Sequence, residues 1–384
     1  MRYSKGTQPV IGILGGGQLA GMLTSAASRL GCSVKIFERE GVEPISALRA
    51  VTVHGDWNKP DDLPAFAAGV DAVTLENEFI APESLRVLEE GGHDLVPSSR
   101  TMSLIQDKLT QKRTLQAAGL PVPDFLEVNG EEDIRAACDR IGMPMVLKRR
   151  QMSYDGKGNA LLSDRDEARR IWDQLNGSDG GLFAEAFCDF ERELATIVIR
   201  TREGNTHLYP VVETVQRNHI CHQVTAPARL ADDRAHHAGQ LARRAVESVE
   251  GVGAFGVEMF LLKNGETVIN ELAPRVHNSG HYTIEACETS QFENHIRVVL
   301  GRSPGSTAMR RPGAAMVNIL GNVHAGGTPH MDMAARDRDD VYIHIYGKEE
   351  CRPGRKMGHV TALGDTPEEA LERAARVANT VRFE

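Results

Sequence analysis

The chain has 384 residues, 41% of them hydrophobic and 25% charged, with a formal net charge of −9. That length suits two or three domains, and the acidic balance argues against a nucleic-acid-binding surface while allowing local basic pockets. No apolar run approaches the roughly 20 residues of a membrane helix, and no signal peptide is expected because the N-terminus lacks an apolar stretch ending in a cleavage site. Six scattered cysteines without a CxxC pair fit reduced cytoplasmic thiols better than disulfides or zinc.

In chain order, residues 10–14 read as a strand, after which Gly15-Gly16-Gly17-Gln18 opens a helix that stops at Gly31. Further strands are expected at 34–37, 51–53, 72–75 and 95–96, with Pro60 and Pro82 in first helical turns. The alternation predicts an open, mostly parallel α/β sheet. Gly15-x-Gly17-x-x-Ala20, with Glu38 closing the next strand, matches a dinucleotide fingerprint. Helix-start N–H groups bind any phosphate, so a dinucleotide, another phosphorylated ligand and plain close packing all remain open.

Residues 98–118 read as one helix closed by Gly119 and Pro121. From 122 to 187 the pattern changes to short strands around two helices, 131–140 and 166–175. An apolar strand there delivers Lys148 to the loop Arg149-Arg150-Gln151-Met152-Ser153-Tyr154-Asp155-Gly156-Lys157-Gly158, the composition of a lid over triphosphate. Strands are expected around 182–188 and 193–199, then a helix at 232–249.

The densest chemistry lies in 256–281. Two apolar runs flank Asn264-Gly265, a signal for a two-residue hairpin turn. Such a turn makes Glu258 face Glu271, and like charges directly opposite ask for a cation between them; carboxylate oxygens suit Mg²⁺ carrying phosphates. Pro274 ends the second strand, and Arg275-Val276-His277-Asn278-Ser279-Gly280-His281 brings a cation, an imidazole, an amide and a hydroxyl beside the acids. Beyond lie a helix at 283–300, strands at 316–320, 341–346 and 359–363, and a last helix opened by the capping box Thr366-Pro367-Glu368-Glu369. Lys348 and Arg355 flank a turn that can fold both cations toward one anion, in a basic loop that also holds Arg352 and Lys356.

A phosphate-binding α/β unit, a lysine-and-glycine lid and then a unit with paired carboxylates resembles the ATP-grasp ligases. Within them, Lys148-Arg149-Arg150, Tyr154-Asp155-Gly156-Lys157-Gly158 and Asn270-Glu271-Leu272-Ala273-Pro274-Arg275-Val276-His277-Asn278-Ser279-Gly280-His281 look like the 5-(carboxyamino)imidazole ribonucleotide synthetases of purine biosynthesis. Thr74-x-Glu76-x-Glu78 and Pro353-Gly354-Arg355-Lys356-x-Gly358-His359 support the likeness, which spans residues 10–364.

The resemblance implies an α/β, three-domain ATP-grasp architecture: a Rossmann-like parallel sheet in 1–118, a small α+β lid in 119–188 and a C-terminal α+β domain in 189–384. It implies a cytoplasmic, homodimeric carbon–nitrogen ligase that uses ATP, Mg²⁺, bicarbonate and 5-aminoimidazole ribonucleotide. Lys108, Lys148, Glu185, Ala186, Phe187, Cys188, Glu193, Asn270 and Glu271 are then expected around ATP, with Glu258 and Glu271 on the metal. Gln18, Leu19, Glu76, Tyr154, Asp155, Arg275, Asn278, Ser279, Lys348 and Arg355 are expected around the nucleotide substrate, and Arg275, His277 and Lys148 at the chemistry. Gln216 stands where many bacterial members carry His, so no imidazole role falls there; Met152-Ser153 replaces their glycines. Both departures look closer to the fungal branch, whose frequent fused second enzyme is not expected in a chain ending at Glu384. A formate- or biotin-dependent ATP-grasp relative is the alternative within the class, and a nicotinamide-dependent dehydrogenase the alternative outside it.

Overall fold

The computed structural model describes residues 8–42, 45, 50–59, 61–151, 158–175, 177, 180–331 and 339–384. Strands β1 (Val10–Leu14), β2 (Ser33–Arg39), β3 (Val51–Gly55), β4 (Ala72–Leu75) and β5 (Leu95–Val96) form a parallel sheet in the order β3-β2-β1-β4-β5. The strand order reverses at β1, whose C-terminal end carries the 15–17 turn, the place where sheets of this kind open a crevice. Pro82 starts the helix Pro82–Glu90. Pro60 lies outside the described residues.

Strands β6 (Phe125–Val128), β7 (Met145–Arg149), β8 (Asn159–Leu162) and β9 (Leu182–Ala186) make a small antiparallel sheet in the order β6-β9-β7-β8. It packs on the helices Glu131–Ile141 and Ala168–Gln174 through Val128, Ile134, Leu147 and Ile171. The third sheet is antiparallel and has nine strands: β10 (Phe190–Arg200), β11 (Thr206–Leu208), β12 (Val212–Arg217), β13 (Ile220–Ala226), β14 (Gly253–Leu262), β15 (Thr267–Ala273), β16 (Gly313–Leu320), β19 (Val341–Ile345) and β21 (Lys356–Gly364). Their order is β15-β14-β10-β12-β13-β16-β21-β19, with β11 beside β10. Two short pairs complete the fold: β17 (Ala325–Gly326) with β20 (Glu350–Cys351), and β18 (Pro329–His330) with β22 (Arg382–Phe383).

The first and third sheets share one core. Ile11, Leu23 and Val34 bury against the same cluster as Tyr282, Phe292 and Ile296. Inside it His295 bonds both units: its Nε2 lies 2.7 Å from Thr74 Oγ1 on β4, and its Nδ1 accepts the Ala254 N–H of β14 at 3.0 Å. Burial pushes this imidazole down to about 4, so it stays neutral at neutral pH.

Two expected helices are each broken in two. Residues 98–118 form Ser99–Ile105 and Lys108–Ala117, because Asp107 caps the second by accepting the Thr110 N–H. At the same break Gln106 turns its amide toward the carbonyls of Glu78 and Ile80. Residues 283–300 form Thr283–Ala286 and Gln291–Val299, since Cys287 makes a β-bridge to Met309 and Ser290 starts a new cap. Thr366 caps the last helix by accepting the Glu369 N–H, while Glu369 reaches back to Asp365 N–H, one residue before the expected partner.

Candidate active site

The hairpin of β14 and β15 sets Glu258 opposite Glu271. Its turn is longer than the two residues expected. Leu262 N–H donates to Glu266 O and Gly265 N–H to Leu262 O, both at 2.8 Å, so the loop is 263–265. Gly265 closes it at φ 88°, the left-handed region that glycine occupies without strain. That loop moves the register by one, pairing Met259 with Ile269. Asn270 then has no opposite residue, a bulge that moves the register back and restores Glu258 to Glu271. The pairing thus rests on two compensating departures from a regular hairpin.

Both carboxylates keep 34% of their side-chain surface open to the cleft. Lys108 Nζ donates to Glu271 Oε2 at 2.8 Å, and against burial it holds that carboxyl below its ordinary range. Glu258 shifts the other way. Burial, then the charges of Glu271 and of Glu193 on β10, push it up to about 7. Glu193 is itself raised to about 7 by burial, opposed by a hydrogen bond from Gln216. Among the described residues no cluster of three or more His, Cys, Asp or Glu forms a metal cage. The opposed pair of hard oxygen donors fits instead a cation such as Mg²⁺, which takes one or two carboxylates and completes its shell with phosphate and water.

Behind the acids, Glu185 of β9 lies between two lysines. It pairs with Lys148 of β7 and, at 2.6 Å, with Lys112. Their ammonium groups overcome its burial and hold it at about 2. At the strand's end Phe187 is 48% exposed and Cys188 sits half-buried, its thiol pointing to Ala186 O.

Past Pro274 the polar run folds back over β14. Arg275 engages Glu78 through Nε and Nη2, the latter at 3.0 Å, and its Nη1 bonds Val276 O. The side of the guanidinium fork expected to clamp an oxyanion therefore faces Glu78, leaving one hydrogen on each terminal nitrogen. His277 Nδ1 lies 2.9 Å from Ser279 Oγ and its Nε2 3.5 Å from Glu258 Oε1. Burial, then the charges of Arg275 and Lys356, push the imidazole down to about 3, so it is neutral. Ser279 is 2% exposed and serves His277 from behind. Asn278 exchanges amide bonds with Asn318 at 2.7 and 3.2 Å.

The 15–17 turn is closely packed against Glu76. A Cβ on Gly17 would lie 2.5 Å from Glu76 Oε1, and one on Gly15 would strike Glu76 Cγ. Glu38 is buried and holds backbone: it accepts the N–H of Gly16 at 2.8 Å and of Arg39 at 2.8 Å. Glu76 accepts the Ala20 N–H. Within the first turn the N–H groups of Gln18 and Leu19 have no acceptor among the described residues. At the other end of the chain, Lys348 donates to Lys356 O at 2.6 Å and Arg355 to Glu350 O at 2.8 Å. Tyr154 and Asp155 lie outside the described residues, as does the rest of 152–157. Sequence reasoning passed over Glu78, Lys112 and Lys356. Glu78 was visible as the second acid of Glu76-x-Glu78 and Lys356 as a member of the basic loop, while no local signal marked Lys112.

A lysine-bearing strand, a buried acid behind it and an opposed acid pair on the neighbouring sheet define an ATP-grasp enzyme, one that uses ATP. Family models agree: the ribonucleotide synthetase preATP-grasp domain matches residues 9–106, the ATP-grasp domain 113–292 and the phosphoribosylaminoimidazole carboxylase C-terminal domain 314–373. The N5-carboxyaminoimidazole ribonucleotide synthase of Synechococcus elongatus is 38% identical, over 91% of this chain and 88% of that one. The phosphoribosylaminoimidazole carboxylase of Ogataea methanolica is 39% identical over 96% of this chain and 69% of its own; the chain spans about two thirds of the relatives so named. The crystal structure of N5-carboxyaminoimidazole synthase from Aspergillus clavatus in complex with ADP and 5-aminoimidazole ribonucleotide superposes with a TM-score of 0.86 at 34% identity, covering 97% of this chain and 99% of that one.

The chain belongs to the N5-carboxyaminoimidazole ribonucleotide synthetase family. It is an ATP-dependent carbon–nitrogen ligase that carboxylates 5-aminoimidazole ribonucleotide in purine biosynthesis.

Proposed function

We propose that the chain activates bicarbonate as carboxyphosphate and passes the carboxyl to the exocyclic amine of 5-aminoimidazole ribonucleotide, with one Mg²⁺ held by Glu258 and Glu271. The observation that carries the reading is the opposed acid pair, with Lys108 bonded to Glu271 and Glu258 raised by burial and by the charges of Glu271 and Glu193. When bound, the metal supplies positive charge to the transferring phosphoryl oxygens. ATP lies along Lys108, Lys148, Glu185, Ala186, Phe187, Cys188, Glu193, Asn270 and Glu271. Lys148 faces the phosphates while Glu185, itself paired with Lys112, fixes its ammonium.

A bicarbonate oxygen attacks the terminal phosphorus and ADP departs with the bond's electrons. The nucleotide's amine then attacks the carboxyl carbon, or CO₂ released from it; phosphate departs and the amine loses a proton. Arg275, anchored by Glu78, orients the bicarbonate with its remaining hydrogens, and neutral His277 offers its ring beside Glu258. Water must be kept out because carboxyphosphate hydrolyses readily. The nucleotide binds among Gln18, Leu19, Glu76, Tyr154, Asp155, Arg275, Asn278, Ser279, Lys348 and Arg355. We place the enzyme in the cytoplasm as a homodimer; its six thiols are free, and sedimentation of the purified chain checks the second point.

The direct test is ADP release, which should require bicarbonate and the nucleotide together; equal release with formate in place of bicarbonate contradicts the reading. Two variants refine it. Arg355→Ala should raise the nucleotide's KM about ten- to a hundred-fold, the worth of one charge-assisted hydrogen bond at roughly 1.5–3 kcal/mol, with the KM for ATP unmoved. Weakened ATP binding with normal nucleotide binding would mean the pockets are exchanged. Gly256→Ala addresses His277, because the new Cβ would lie 2.5 Å from its Cβ and Cγ. Such overpacking costs roughly 1–3 kcal/mol, and turnover should fall about ten-fold with the fold retained by circular dichroism. Unchanged turnover would show that the seat of His277 is irrelevant.

A further inference from the structure

Helix Lys108–Ala117 buries two long polar side chains, Gln111 and Lys112, each only 2% exposed. A buried amide is costly unless every polar atom is bonded. Gln111 is fully occupied, and its partners are informative. Its Nε2 donates to Leu272 O at 3.0 Å and to Ile105 O at 3.2 Å, and its Oε1 accepts the Leu272 N–H at 2.8 Å. One side-chain amide therefore replaces a neighbouring strand at the open edge of the nine-stranded sheet.

The edge needs that replacement because of the bulge. Asn270 rephases β15, so the backbone groups facing outward are those of Ile269 and Leu272, on either side of Asn270-Glu271. Ile269 is held as well: its N–H donates to Pro121 O at 2.8 Å and its carbonyl accepts from Lys112 Nζ at 3.3 Å. The bulged dipeptide is clamped at both ends by one helix and the turn that follows it. One turn earlier the same helix carries Lys108, bonded to the Glu271 carboxylate at 2.8 Å. A cavity of about 120 Å³, lined in part by Glu78, Lys108, Gln111, Glu271 and Pro274, lies against this joint.

We infer that Gln111 is a positioning residue for the metal-nucleotide site: it locks the register of the Asn270 bulge and thereby fixes where Glu271 presents its oxygens relative to Lys108. The inference rests on the proposed metal role of Glu271.

Titration calorimetry of ADP with and without Mg²⁺ separates the two. Gln111→Met keeps length and packing but makes none of the three bonds. It should weaken ADP binding in Mg²⁺ about ten-fold, as supporting residues of metal sites do, and leave metal-free ADP binding unchanged. A merely structural role would lower the melting temperature and leave the Mg²⁺-dependent gain of the folded variant intact, which overturns the inference. Glu271→Gln is titrated alongside. If it also leaves the Mg²⁺ dependence untouched, the metal reading falls and this inference with it; if it weakens binding while Gln111→Met does not, the inference alone falls. Hydrogen exchange on the wild-type enzyme decides the clamp even where Gln111→Met does not fold. The Leu272 amide should be as protected as those of β14, and exchange at the rate of an open edge would contradict the assignment.

Discussion

Glu271→Gln should lose on the order of a hundred-fold or more in turnover while folding normally, because even residues that only support a metal ligand cost 10–100-fold when removed. The amide retains the shape of the side chain and one acceptor oxygen but gives up the charge that the opposed pair offers. It also leaves Lys108 facing a neutral group 2.8 Å away, so its ammonium loses the charge that tethers it. The deficit should shrink as Mg²⁺ is raised, since a weakened site is filled by mass action. Wild-type rates at limiting Mg²⁺ would remove Glu271 from the site altogether. The partner substitution Glu258→Gln should behave alike.

Arg275→Lys is expected to be nearly as severe, although the charge is kept. Glu78 is tied to Arg275 by two bonds of a planar fork, and a lysine ammonium satisfies at most one of them. Leaving a half-buried carboxylate one charge-assisted bond short costs roughly 3 kcal/mol, enough to displace either side chain. Turnover should drop at least a hundred-fold, chiefly through bicarbonate, with the affinity for ADP within two-fold of wild type. A lysine variant that keeps a third of the activity would show that position 275 supplies charge alone and that the fork with Glu78 has no part.

What the sequence made legible follows from which interactions are local. The parallel sheet of β1 to β5 could be read because apolar strands and helix starts alternate over short distances. The opposed glutamates were read correctly although the turn was not, because the bulge at Asn270 cancels the extra residue of the loop. The turn was misjudged by one residue because Gly265 closes a three-residue loop, and the bulge at Asn270 was not foreseen, since it depends on what covers the far edge of β15. That cover is Gln111 and Lys112, about 160 residues earlier in the chain. For the same reason the sequence did not show the role of Glu38: nothing local tells that its carboxylate accepts the Gly16 and Arg39 N–H groups. The breaks in the helices at 98–118 and 283–300 likewise come from caps and a β-bridge, which helical periodicity does not register.

Bicarbonate should be phosphorylated before the carbon–nitrogen bond forms. This order is tested most directly with ¹⁸O-labelled bicarbonate, ATP and 5-aminoimidazole ribonucleotide, the phosphate being analysed by mass spectrometry before the label exchanges with water. The oxygen that attacks phosphorus stays on it when carboxyphosphate breaks down, so each phosphate should carry one bicarbonate oxygen. Phosphate that carries none, formed together with the carboxylated nucleotide, would contradict the account.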